Sequence, residues 1–191
     1  MESLILASYV LNASLTLTFS ASDSLSGLAS TQATLNGSSV TSGSTVTLAR
    51  PGTNTFTLTA TDVAGNTATK TATFVVLYDF GGFLPPIAND GSSVFKLGNT
   101  VPVKFQLTGT GGAPVPTAVA QLRLQMLSNG TPVGAPIDGT GSGSADTGNV
   151  FRYDGHQYVY NLSTAPLTLG VWQIQAVLDD GTVHAVTIGL K

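Results

Sequence analysis

Between Ser14 and Ser20 every second side chain is apolar. Leu15, Leu17 and Phe19 share one face and hydroxyls occupy the other, which is the period of a strand with one buried side. The pattern returns through Val46 and Leu48 within 44–49, and most clearly over Thr53–Thr61, where Phe56, Leu58 and Ala60 alternate with threonines. Residues 67–77 repeat it through Ala72, Phe74 and Val76, and 28–35 carry a weaker form that ends at Asn36-Gly37. An apolar run at 4–11 predicts a further, edge strand at the front. Asp62 to Asn66 contains the Gly and Asn that accept a positive φ, so it reads as a hairpin loop.

The second half predicts eight more strands, near 94–97, 101–107, 119–127, 131–137, 149–153, 157–162, 171–178 and 183–190. Asp138-Gly139, Asp154-Gly155 and Asp180-Gly181 are turn dipeptides suited to hairpin tips. Residues 111–116 and the Gly/Ser-rich stretch 140–148 read as loops. Strands punctuated by turns every eight to twelve residues, with no helical period, predict an all-β fold of two tandem β-sandwich domains, 1–77 and 78–191, the first immunoglobulin-like. The segment from Phe80 to Pro86 is rich in Gly and Pro yet aromatic, and is expected to be a connector whose rings pack on the second domain.

Composition narrows the function. Charged residues make up 9% of the 191 residues, against about 25% in an average soluble domain. The net charge is −3, and the seven Lys and Arg are scattered from Arg50 to Lys191. Nucleic-acid binding, which needs clustered cations, is not expected. The chain has no cysteine, which removes disulfides and thiolate metal sites. No stretch reaches the ~18 apolar residues of a membrane helix. The first residues lack the cationic start of a signal peptide, so the chain is expected to be a fragment of a longer secreted protein.

Two resemblances follow from specific segments. Residues 19–76 resemble bacterial Ig-like domains of surface proteins, through Asp23-Ser24-Leu25-Ser26-Gly27-Leu28, Leu35-Asn36-Gly37 and Thr59-Ala60-Thr61-Asp62-Val63-Ala64-Gly65-Asn66-Thr67. Residues 78–191 resemble the PxKF domain, through Pro102-Val103-Lys104-Phe105 after Gly98-Asn99-Thr100-Val101. Further carriers are Tyr78-Asp79-Phe80-Gly81-Gly82-Phe83 with Pro86, Tyr158-Val159-Tyr160-Asn161 and Leu178-Asp179-Asp180-Gly181-Thr182-Val183-His184. The resemblance implies a module at the C-terminal end of secreted bacterial proteins, of extracellular or cell-surface location, and implies no chemistry. Family members often carry Cys in the central insertion, where this chain has none.

Candidate sites are few. Asp23, Asp62 and Asn66 could supply oxygens to calcium, which takes six to eight; the alternative is that each Asp caps its own turn. No other cofactor is expected. Tyr158, Tyr160 and Trp172 could stack on a sugar ring, or lie in the core, as the alternation of Trp172 with Ile174, Ala176 and Leu178 suggests. Lys104 is either a solvated strand residue or the donor of an isopeptide bond. Asp179 and Asp180 are adjacent and point to opposite faces. His156 and His184 have no partner at metal spacing, and no Gly-x-Ser-x-Gly elbow is present. These readings predict a non-enzymatic spacer, anchor or adhesive pair, with an extracellular protein or polysaccharide as partner and self-association into an oligomer or fibre through strand edges poor in Lys. The alternative is a carbohydrate-binding accessory module.

Overall fold

The computed structural model describes residues 7–191, so the part of the 4–11 run before Ala7 lies outside the described residues. The chain divides into two compact units, Met1–Tyr78 and Asp79–Lys191. Among the described residues all regular structure is β, save one 3-10 turn at Thr110–Gly112.

The first unit holds seven strands among the described residues: β1 (Ser8–Val10), β2 (Ser14–Thr16), β3 (Leu28–Leu35), β4 (Ser38–Val40), β5 (Thr45–Thr47), β6 (Gly52–Asp62) and β7 (Thr67–Leu77). They form a five-stranded sheet in the order β1-β7-β6-β3-β4 and a two-stranded sheet β2-β5. β1 lies parallel to β7, with Ser8 opposite Val75 and Val10 opposite Leu77. Alternation along β6 buries Asn54, Phe56 and Leu58 and sends the threonines outward. Ala33, Phe56 and Leu58 form one core cluster, covered by Leu17, Phe19, Leu35 and Val40, and Leu11, Leu48, Phe74 and Val76 are buried as well. Asn54 is polar and buried, and its amide satisfies itself on the carbonyls of Arg50 and Gly52 at 3.0 and 2.9 Å.

The second unit holds β8 (Asp79–Phe83), β9 (Val94–Phe95), β10 (Thr100–Thr108), β11 (Ala120–Ser128), β12 (Thr131–Asp138), β13 (Arg152–Tyr153), β14 (Tyr158–Ser163), β15 (Gly170–Leu178) and β16 (Val183–Leu190). A four-stranded sheet runs β13-β14-β10-β8 and a five-stranded sheet β12-β11-β15-β16-β9. Inward rows from Val101, Val103, Phe105, Leu107, Tyr158, Tyr160 and Leu162 meet Leu122, Leu124, Ile174, Ala176, Val186 and Ile188, all buried. Each such aliphatic side chain contributes about 1.5–3 kcal/mol by leaving water.

Three expectations change here. The aromatic segment after Tyr78 is a strand rather than a connector: β8 pairs with β10, and Phe80 and Phe83 pack on Phe105 with ring centres 5.3 and 6.2 Å apart. The strand expected over 149–153 shrinks to Arg152–Tyr153, because Val150 bridges to Gln121 in the other sheet. Asp138-Gly139 is not a hairpin tip; the chain runs on until Gly141 bridges to Leu162. Lys104 sits half-buried on the outward side of β10, opposite Val159, and neither ion pair of the described residues includes it.

Candidate functional site

Three of the sequence candidates, Asp23, Asp62 and Asn66, are brought together at one end of the first unit. Asp23 opens a tight turn. Its carboxylate accepts the backbone N–H of Leu25 at 3.3 Å and of Ser26 at 3.0 Å, and the Ser26 hydroxyl at 2.9 Å. Such local bonding is what a short acidic side chain does in a turn. Asp62 ends β6 and organises the hairpin loop in the same way. It accepts the Asn66 backbone N–H at 2.8 Å and the Asn66 side-chain amide at 2.8 Å.

The link between the two is Ser26, which sequence reasoning missed. Its Oγ lies 2.9 Å from Asp23 Oδ2 and also 2.9 Å from Asp62 Oδ2. One hydroxyl carries one hydrogen, so it serves one carboxylate at a time and spaces the two apart. Val63 adds a backbone bond to the Gly27 carbonyl at 3.0 Å. The Asp-x-x-Ser spacing at 23–26 was the available signal for the local turn; the reach to Asp62 depends on the β3–β6 pairing that sets Leu28 opposite Asp62. Both carboxyls are held below their ordinary value. For Asp23 the main cause is the Ser26 hydroxyl, and for Asp62 the Asn66 amide.

This donor set does not fit calcium. The oxygens that converge are Asp23 Oδ2, Asp62 Oδ2 and Ser26 Oγ, three against the six to eight that calcium takes. Asn66 turns its amide nitrogen, not its oxygen, toward Asp62. Among the described residues no three His, Cys, Asp or Glu gather closely enough to hold a metal. The cluster is a hydrogen-bonded bracket that ties the 23–27 turn to the β6–β7 loop.

The aromatic candidates are internal, which corrects the expectation of a stacking platform. Tyr158 and Tyr160 are 1% and 0% exposed, and Trp172 is 7% exposed. Tyr158 stacks on Phe105 with ring centres 5.2 Å apart; its hydroxyl donates to the Val115 carbonyl at 2.7 Å and accepts the Ala118 N–H at 2.9 Å. The Tyr160 hydroxyl lies 2.9 Å from the Gly139 carbonyl and 2.7 Å from that of Gly148. The Trp172 indole N–H donates to the Thr168 carbonyl at 2.9 Å. Each ring fills core while its polar tip fastens a loop, the common solution for buried Tyr and Trp. Burial pushes the Tyr158 phenol up to about 12 and raises that of Tyr160.

Two further polar groups are built in. Asp146, in the 140–149 loop, is almost fully buried and pairs with Arg152, while its other oxygen accepts the Asn161 N–H at 3.2 Å. His184 stacks flat on Phe80 at 3.9 Å, with Thr182 Oγ1 3.1 Å from its Nε2. Among the described residues no buried side-chain nitrogen or oxygen lacks a partner.

No protein-family model matches the sequence, and no curated protein matches it. Among solved structures the chain is similar to a chimeric titin Z1Z2-Z1Z2 tandem, at 14% identity over 96% of this chain and 93% of that one, with a TM-score of 0.29. It is similar to the fibronectin(III)-like modules of Clostridium thermocellum CbhA, at 13% identity over 96% and 88%, with a TM-score of 0.30. A third similarity is to domains 4 and 5 of the S-layer protein SbsC, at 11% identity over 84% and 70%, with a TM-score of 0.33. No helix of the described residues is long and apolar enough to cross a membrane.

Proposed function

We propose that the chain is a non-catalytic pair of β-sandwich modules, one Ig-like and one PxKF-like, that extends, presents or attaches the rest of a larger secreted or cell-surface bacterial protein. The observation that carries this reading is how the polar groups are used. Asp23, Asp62 and Asp154 spend their carboxylates on neighbouring turns, and the tyrosine hydroxyls spend theirs on loop carbonyls. A reacting or sugar-binding site would hold some of these groups open toward a cleft. The burial of Tyr158, Tyr160 and Trp172 counts against the carbohydrate-module alternative, since these rings offer no stacking face.

The test is retention of the purified chain on a panel of insoluble polysaccharides and on bacterial envelope fractions, in calcium and in chelator. The spacer and attachment role predicts no saturable retention on any pure glycan, and an unchanged result in chelator. Saturable binding to one glycan overturns the reading in favour of an accessory module. Loss of binding in chelator would return Asp23 and Asp62 to the role of metal ligands.

A further inference from the structure

The chain contains two Asn-Gly dipeptides, Asn36-Gly37 and Asn129-Gly130. They occupy equivalent places, each at the tip of a two-residue hairpin. The first joins β3 to β4, with Leu35 opposite Ser38, and the second joins β11 to β12, with Ser128 opposite Thr131. Their backbones match: φ is 51 and 84 for Asn36 and Gly37, and 49 and 78 for Asn129 and Gly130. These are the positive angles that a tight hairpin turn demands and that Asn-Gly supplies. Neither glycine has a neighbour within 4 Å of where a Cβ would stand, and both asparagines are exposed.

They differ in what holds the side chain. The Asn36 carboxamide is clamped at both ends: its nitrogen donates to Asn54 Oδ1 at 2.6 Å, and its oxygen accepts the Thr55 N–H at 2.9 Å. Asn54 is itself buried and fixed to Arg50 and Gly52. Asn129 has no hydrogen bond or other polar contact through its side chain among the described residues.

We propose that Asn129 is a site of spontaneous modification, deamidating through the Gly130 amide, while Asn36 in the same dipeptide is protected by its clamp. The backbone nitrogen of Gly130 attacks Cγ of Asn129 and gives up its proton to solvent. The new C–N bond closes a five-membered succinimide, and the Cγ–Nδ2 bond breaks as ammonia leaves. Water then opens the ring at either carbonyl, giving Asp or isoaspartate. No oxidant or enzyme is required. Glycine leaves its nitrogen unshielded in both dipeptides, so the rate is set by how freely the carboxamide rotates over it. At Asn36 that rotation must first break two hydrogen bonds; at Asn129 it breaks none.

The product alters a defined element. Each event adds one negative charge to a chain whose net charge is −3. The isoaspartate form also inserts a backbone methylene between Ser128 and Thr131, at the turn that sets the β11–β12 register.

The experiment follows both sites in one sample. The full chain is held at mildly alkaline pH, and site-resolved mass spectrometry with isoaspartyl methyltransferase labelling records the modified fraction at 36 and at 129. In the folded chain, Asn129 reacts at least about tenfold faster than Asn36, since two hydrogen bonds must open at the latter. In concentrated urea the two rates converge, because the clamp is gone. An Asn129→Gly variant, which keeps the positive φ, loses the early product. Equal folded rates at the two sites overturn the proposal, as does a folded Asn129 that stays intact while both sites react in urea.

Discussion

Tyr158 ties the core of the second unit to a loop. Its ring stacks on Phe105 while its hydroxyl satisfies a donor and an acceptor on the 115–118 segment. Replacing it with phenylalanine keeps the ring and orphans two backbone groups in a buried place. Tyr158→Phe is therefore expected to cost about 2 kcal/mol, read as a shift of the urea midpoint followed by Trp172 fluorescence. Trp172 is the one tryptophan of the chain and lies in the same unit, so the signal reports that unit alone. The ring positions were legible in the alternation; the hydroxyl partners were not, because Val115 and Ala118 lie 43 and 40 residues earlier in the chain. Ser26 is the same lesson on the surface, a residue whose meaning depends on Asp62, 36 positions away.

Among the elements, β12 stands apart. It is one edge of the five-stranded sheet β12-β11-β15-β16-β9, and all eight of its residues are exposed. Such an edge is the surface through which sheets pair with other chains, and its lack of Lys underlies the expectation of self-association. Two features work against that outcome. Pro132 and Pro136 remove N–H donors. A bulge between the Leu124–Ile137 and Met126–Val133 pairs bends the strand. The side chain of Gln125 plugs the bulge, donating to the Val133 carbonyl at 2.8 Å. Replacing both prolines with valine restores the donors without adding charge, and is expected to strengthen association as concentration rises, as measured by sedimentation velocity. If both versions sediment alike, the prolines are not what guards this edge. Long alternating strands such as β6, β7 and β15 were readable because their period is unbroken. β8 was not, since its Gly81-Gly82 interrupts the apolar face and resembles a linker.

For the whole molecule, the titrating groups set a stability profile that falls at both extremes of pH. The His184 ring is held below its ordinary 6.5, chiefly by burial and despite the nearby Asp180. The folded state thus favours the neutral ring, and stability declines as pH drops below about 6.5, where the unfolded chain takes up the proton first. Asp23, Asp62, Asp90 and Asp154 lie below 3.8 through hydrogen bonds, principally from Ser26, Asn66, Ser92 and His156 respectively. Their contribution is present above that value and is lost as pH falls through the folded ones. Tyr158, raised from 10.0 to about 12, contributes below 10.0 and loses its contribution as pH climbs through about 12. Urea midpoints taken across pH are expected to show a plateau from about pH 7 to 10, a shallow acid limb from His184 and a steeper one from the carboxylates. A His184→Phe variant removes the shallow limb alone; if that limb persists in the variant, the assignment to His184 is wrong.

The parallel pairing of β1 with β7 has a mechanical consequence. Among the described residues β1 is the first strand of the first unit and β7 the last, so the two strands that meet side by side are the two that tension on the ends of this segment would pull. Because they run the same way, a load drawn through the unit slides one along the other. The Val75–Ala7 and Leu11–Leu77 backbone bonds, at 3.2 and 2.8 Å, flank that contact. They are strained together, where an antiparallel hairpin pulled from its open end would give way one rung at a time. A module threaded in this manner is expected to yield late and all at once under stretch, rather than unravelling strand by strand.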